Sequence, residues 1–196
     1  MRKRFFKVTL VLLSATLIPL LFSCEPEPEP EIEKDRVSLS AAEIELYNQL
    51  MKYRAELGLD EIPLSASLTI VAQTHVEDLQ ENNLIVGECN AHSWSGFGNW
   101  TPCCYTADHA QAACMWDKPR ELTDYLGNGF EIAFHGGGPI SPLNALNGWK
   151  NSPGHDAVIK NAVPWKKEWK AIGIGLKGKY AAVWFGNEVD PAGPPR

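Results

Sequence analysis

The sequence predicts a single α+β domain in which helices come first and an antiparallel hairpin comes last. Three observations carry that expectation. Apolar residues recur at helical spacing between residues 40 and 83, two apolar runs near the C-terminus flank a Lys-Gly-Lys turn, and everything before residue 37 has the composition of a leader and a spacer. The chain has 196 residues, 44% of them hydrophobic and 21% charged. The roughly 160 residues beyond the spacer are enough to bury one real core.

Taken in order, residues 1–23 read as a lipoprotein signal peptide. Arg2, Lys3, Arg4 and Lys7 precede an apolar stretch from Val8 to Phe22, which contains Pro19 and is short for a membrane span. Leu21-Phe22-Ser23-Cys24 then resembles a lipoprotein processing site, with Cys24 as the lipidated residue and therefore a membrane anchor. A conventional signal peptide with an incidental cysteine is the alternative. Residues 24–36 form an acidic, proline-rich spacer, in which Glu25-Pro26-Glu27-Pro28-Glu29-Pro30-Glu31 favours an extended chain of about 3 Å per residue. Acidic residues just after Cys24 also resemble the surface-export signal of Bacteroidota lipoproteins; a plain solvated linker accounts for them equally well.

The domain is expected over residues 37–190. Ser40-Ala41-Ala42-Glu43 is a capping box, followed by Ile44, Tyr47, Leu50, Met51, Arg54 and Leu57 at helical spacing up to Gly58, a C-cap. A second helix starts near Ser65, with Leu68, Val71, Ala72, His75 and Leu79 as its buried stripe, and frays by Asn82-Asn83. On that stripe His75 reads as a half-buried histidine with its hydrogen bonds satisfied. Leu84-Ile85-Val86 reads as strand-like. A long segment from Cys89 to about Tyr125 follows, with a helix from Ala107. Ser141 caps a short helix between Pro142 and Trp149, and Ser152-Pro153 caps and opens another. Trp169–Leu176 and Tyr180–Phe185 form the hairpin about Lys177-Gly178-Lys179. Trp149 and Trp184 read as core.

Charge narrows the partners. The formal net charge of −6 includes the four leader bases; without them 14 basic and 24 acidic residues leave about −10. No Lys/Arg run or basic stripe remains, so nucleic acid is excluded as a partner.

The run Trp149-Lys150-Asn151-Ser152-Pro153-Gly154-His155 places a histidine in a first helical turn. It resembles the second-histidine segment of the CAP superfamily, which covers cysteine-rich secretory proteins, venom antigens and pathogenesis-related proteins. His92-Ser93 is similar to that family's first-histidine motif, and Gly127-Asn128-Gly129-Phe130-Glu131-Ile132-Ala133 to its Gly-Glu-Asn-Ile-Ala strand. Ala171-Ile172-Gly173-Ile174-Gly175-Leu176 and Ala181-Ala182-Val183-Trp184-Phe185-Gly186 look like its last two strands. The resemblance implies a three-layer α-β-α sandwich with a central antiparallel sheet. It also implies a site built on His92, Glu131 and His155. The family's second glutamate falls at Ser152 here, a departure shared by many bacterial members.

Two imidazoles and one carboxylate admit two uses. The histidines suit a labile Zn²⁺ site, which makes Zn²⁺ the candidate cofactor. Alternatively Glu131 orients a histidine as an acid/base pair for hydrolysis. The plainer alternative is a polar network that ties loops together. No nucleophile is evident, because Ser93 and Ser152 lack a nucleophile-elbow context. His135 lies four residues after Glu131, on the same face of a strand, and is a supplementary candidate. His109 is a weaker one.

The long segment carries Cys89, Cys103, Cys104 and Cys114, read as two disulfides in an exported domain. A bond within the adjacent pair would be strained, so Cys89 and Cys114 are each expected to bridge to Cys103 or Cys104. A zinc site combining these thiols with His92 or His109 is the alternative. Trp94 and Trp100 are candidates to stack on a ligand or to form the segment's own core, whereas Trp116 is assigned to that core. The expectation is an envelope-anchored binding module for a peptide, glycan or lipid, lined by His92, Glu131, His155, Ser152, His135, Trp94 and Trp100. A metal-assisted hydrolase on the same residues is the second reading.

Overall fold

The computed structural model describes residues 37–196. The expected signal peptide, Cys24 and the expected spacer lie outside the described residues. Five helices and three strands follow in chain order among these residues: α1 Ala41–Glu56, α2 Ala66–Asn82, α3 Ala112–Leu122, β1 Phe130–His135, α4 Pro142–Lys150, α5 Pro153–Ile159, β2 Ala171–Lys177 and β3 Tyr180–Gly186. The strands pair antiparallel in the order β1-β3-β2, with Glu131 opposite Trp184 and Gly173 opposite Trp184 from the other side.

Strand alternation sorts the core into two layers. Ile132, Ile172, Ile174, Ala181, Val183 and Phe185 face α1, α4 and α5, where Leu46, Leu50, Ala145, Trp149 and Ile159 complete one cluster. Ala171, Tyr180, Ala182 and Trp184 face α2 and α3, joining Leu68, Val71, Ala72, Val76 and Leu79. Helices thus cover both faces of the sheet, giving the expected three-layer α+β sandwich. Gly173 and Gly175 let α2 lie directly on β2: a Cβ at either would come within 2.0 Å of Leu68 C or 2.3 Å of Ala72 O. That close approach sets the height of α2, and with it His75, above the sheet.

Helix α1 carries the expected capping box between Ser40 and Glu43, and α2 the expected N-cap at Ser65. The buried stripe of α1 runs through Glu43, Leu46, Tyr47, Leu50 and Arg54; Ile44 stands one position off it and is 47% exposed. The run Leu84–Val86 is not a strand. With no neighbour to pair with, it turns back on itself through Val86 N–H to Leu84 O and Cys89 N–H to Val86 O. Helix α3 begins at Ala112, five residues later than expected, because Asp108 accepts from Ala110 N–H and His109 adopts φ +59. Ser141 caps α4 through Asn144 N–H.

The end of α1 holds α5 in place. Arg54, almost fully buried, donates to Ile159 O at 2.5 Å, Asn161 Oδ1 at 3.1 Å and Asp60 O at 2.9 Å. Tyr53 OH donates to Asp156 Oδ1 at 2.8 Å. The helix that bears His155 is therefore fixed from both ends by side chains of α1.

Candidate functional site

The buried stripe of α2 brings His75 onto the α2 face of the sheet, where β1 offers Glu131. Glu131 and His75 both have side chains fully shielded from solvent, and His75 Nδ1 lies 2.5 Å from Glu131 Oε1. The second carboxylate oxygen, Oε2, accepts from His92 Nδ1 at 2.7 Å, the His92 side chain being 15% exposed. His75 Nε2 lies 3.0 Å from the backbone carbonyl of Ser93. Both nitrogens of His75 thus face oxygen atoms, the Glu131 carboxylate on one side and the Ser93 carbonyl on the other. Its ring stacks on Trp94 at 4.2 Å and 8°, with Trp184 edge-on to both. Burial raises the Glu131 carboxyl pKa, but His75 and then His92 overcome it and hold the group down at about 2.

The segment that presents His92 is laced down on every side. Asn90 Oδ1 accepts from His92 N–H, and Ser93 Oγ accepts from Tyr105 N–H at 2.9 Å. Trp94 pairs with Cys103 in an isolated antiparallel bridge, and Asp78 on α2 accepts from Ser95 N–H. Disulfides Cys89–Cys104 and Cys103–Cys114 close the segment, one of the pairings expected. With all four sulfurs in disulfides, the thiolate-zinc alternative falls. Tyr105 stands edge-on to His92 at 5.3 Å, and its hydroxyl, pushed up by burial and then by Glu131, meets His109 Nδ1 at 3.2 Å.

His155 is half-buried on α5, and its ring makes no hydrogen bond within the described residues. Burial, then the neighbouring His92, lowers its pKa, while Glu131 raises it; the neutral imidazole is the outcome at pH 7. His92, Glu131 and His155 therefore lie within electrostatic reach of one another. Ser152 occupies the N-cap position of α5, but its side chain makes no capping bond. The acceptor expected there is idle.

Three of the candidate ligand contacts lie apart from the open groups of the site. Trp94 is 2% exposed and belongs to the core, since His75 covers one face of its ring. Trp100 packs edge-on to Trp94 and donates to Ser95 O, so it buttresses that core from a half-buried position. His135 shares a strand face with Glu131, yet four residues along a strand separate them by roughly 13 Å, and it is exposed at the end of β1. Trp116, assigned to the core, is 40% exposed. His75 has its hydrogen bonds satisfied as expected but is fully rather than half buried, and its partner on β1 stands 56 positions away.

A metal would find limited donors. Both oxygens of Glu131 and both nitrogens of His75 are engaged, which leaves His92 Nε2 and the His155 ring. Among the described residues no group of three or more His, Cys, Asp or Glu side chains is arranged to hold a metal ion. Two imidazoles, one of them backed by a carboxylate, are the donors that remain for a divalent ion, which would take water in its other positions.

Comparison with known proteins agrees with the fold. The chain resembles an outer surface protein of Borrelia burgdorferi, with a TM-score of 0.52 at 19% identity over 78% of this chain and 96% of that one. It also resembles an extracellular protein containing an SCP domain from Bacillus anthracis, with a TM-score of 0.50 at 17% identity over 78% of this chain and 45% of that one. No curated protein matches the sequence. The sequence model of the cysteine-rich secretory protein family matches residues 47–179, more than half of the chain, and the protein belongs to that CAP family.

Proposed function

We propose that this chain is an exported, lipid-anchored CAP-domain protein of the bacterial cell envelope, held to the membrane through Cys24. In this reading it binds a peptide, glycan or lipid through His92 and His155. The basic and apolar leader, the cysteine at its end and two disulfides suited to an oxidising compartment support the location. So does the likeness to an outer surface protein. No helix among the described residues is long and apolar enough to cross a membrane.

One observation carries the binding reading: both oxygens of Glu131 are engaged by histidines. Glu131 itself has no oxygen free to act as a general base, so hydrolysis would fall to His92 with Glu131 behind it and would need a nucleophile. Ser93, the serine beside His92, is buried and its Oγ is already engaged by Tyr105 N–H, so it is no nucleophile. His92 Nε2 and His155 are left to meet a ligand, which is a recognition surface that also suits Zn²⁺.

The test is a histidine-ring NMR titration with soluble peptidoglycan fragments, extended peptides and phospholipid micelles in turn. One class is expected to move the His92 and His155 signals together while exposed His135 stays still. Silence from all three classes would overturn the reading. Turnover of any of them that Glu131→Gln abolishes at unchanged affinity would replace binding with catalysis.

A further inference from the structure

His75 reaches no surface, so whatever it does is done through other residues. Its two nitrogens go to two different places that have to meet. Nδ1 holds Glu131 Oε1 at 2.5 Å, and Nε2 holds the carbonyl of Ser93, the residue that follows His92, at 3.0 Å. The hydrogen bond between Glu131 Oε2 and His92 Nδ1, at 2.7 Å, is thus spanned by one side chain that grips both its acceptor and the backbone of the residue next to its donor. The ring cannot turn away, because Trp94 stacks on it at 4.2 Å.

We propose that His75 is a positioning residue that fixes the tautomer of His92: Nδ1 carries the proton and the Nε2 lone pair is what the site offers a ligand. A free carboxylate swings about its last side-chain torsion and can meet an imidazole in several ways. With Oε1 pinned by His75, the carboxylate plane is set and Oε2 is aimed at Nδ1. A carboxylate oxygen there selects the Nδ1–H form, because a bare ring nitrogen would set lone pair against lone pair. The consequence is chemical. An Nε2 lone pair accepts a hydrogen bond or ligates a metal ion, whereas an Nε2–H group does neither. Asp78, one turn further along α2, grips Ser95 N–H at 2.8 Å, so the helix holds the loop at two points and the aim is reinforced.

The choice of Nε2 as the ligand-facing atom rests on the binding proposal, but the tautomer is read without any ligand, so the two can fail separately. The experiment is a long-range ¹H–¹⁵N spectrum of the histidine rings at pH 8, above the ordinary imidazole pKa of about 6.5. It compares the native protein with His75→Gln, His75→Asn and Trp94→Phe. In the native protein His92 is expected to show a pyrrole-type Nδ1 and a pyridine-type Nε2. In a folded His75 variant that pattern is expected to be lost to a mixture or to the Nε2–H form. Trp94→Phe, which disturbs packing and keeps both hydrogen bonds of His75, is expected to preserve it. Native His92 protonated at Nε2 would overturn the proposal even if neither His75 variant folds. An unchanged His92 pattern in a folded His75 variant would do the same, as would its loss in Trp94→Phe alone.

Discussion

Replacing Glu131 by alanine is expected to lower the stability of the domain by about 3–5 kcal/mol, because it removes the carboxylate that two imidazoles share at a fully buried position. His75 has no water to turn to: its side chain is fully shielded, and its other nitrogen is already engaged by the Ser93 carbonyl. Glutamine is no remedy. Its amide nitrogen must face either His75 or His92, and both present an N–H there. Equilibrium urea unfolding followed by tryptophan fluorescence measures the loss, and a change below about 1 kcal/mol would show that the pair contributes little.

The same pair sets an acid limb. The Glu131 carboxyl is held at about 2 against an ordinary 4.5, and a depressed carboxyl stabilises the fold only while it is ionised. Its contribution is therefore complete above pH 4.5 and is lost as pH falls toward 2. A shift of that size corresponds to roughly 3 kcal/mol. In Glu131→Gln this limb is expected to disappear, leaving only the acid dependence of the other carboxylates.

Opening the disulfides is the second large effect. Cys89–Cys104 and Cys103–Cys114 close loops of 15 and 11 positions, and each is expected to contribute about 3 kcal/mol by restricting the unfolded chain. The second matters more to the site. Cys103 exchanges backbone hydrogen bonds with Trp94 at 2.9 and 3.1 Å, and Trp94 is the surface on which His75 rests. Urea unfolding of Cys103→Ala/Cys114→Ala is expected to show the stability loss, with an altered Trp94 environment in near-ultraviolet circular dichroism before unfolding begins. Loss of stability with an unchanged spectrum would mean that the disulfide does not support the His75 stack. Unchanged stability would remove the account of the segment altogether.

Much of the scaffold was legible because local chemistry and tertiary packing agree in it. The capping box at Ser40, the Ser65 cap and the Gly178 turn are short-range patterns that the fold leaves intact. The resemblance located His92, Glu131 and His155, and the structure joins the first two by a hydrogen bond. His75 was harder. Periodicity shows that it is buried, and a buried imidazole must have a partner, but nothing local says that the partner stands 56 residues away on β1. One signal was available: Glu131 alternates with Ile132 and so falls on the face toward α2, the helix whose only stripe histidine is His75. Trp94 stayed open between ligand and core for a different reason. A tryptophan in a glycine-bearing, cysteine-rich segment has no periodicity to place it, and its burial comes from α2 and the disulfide-tied backbone of Cys103. His135 shows the limit of parity arguments, which give the face of a strand and not the distance along it.

In the proposed function His92 and His155 are the open groups of one site, with Glu131 working behind them. A calorimetric Zn²⁺ titration of the oxidised chain from Glu25 to Arg196 tests that most directly, alongside His92→Ala, His155→Ala and His135→Ala. One ion bound with a Kd of about micromolar order is expected, lost in the first two variants and retained in the third. Absence of binding, or binding that survives both His92→Ala and His155→Ala, would contradict the account.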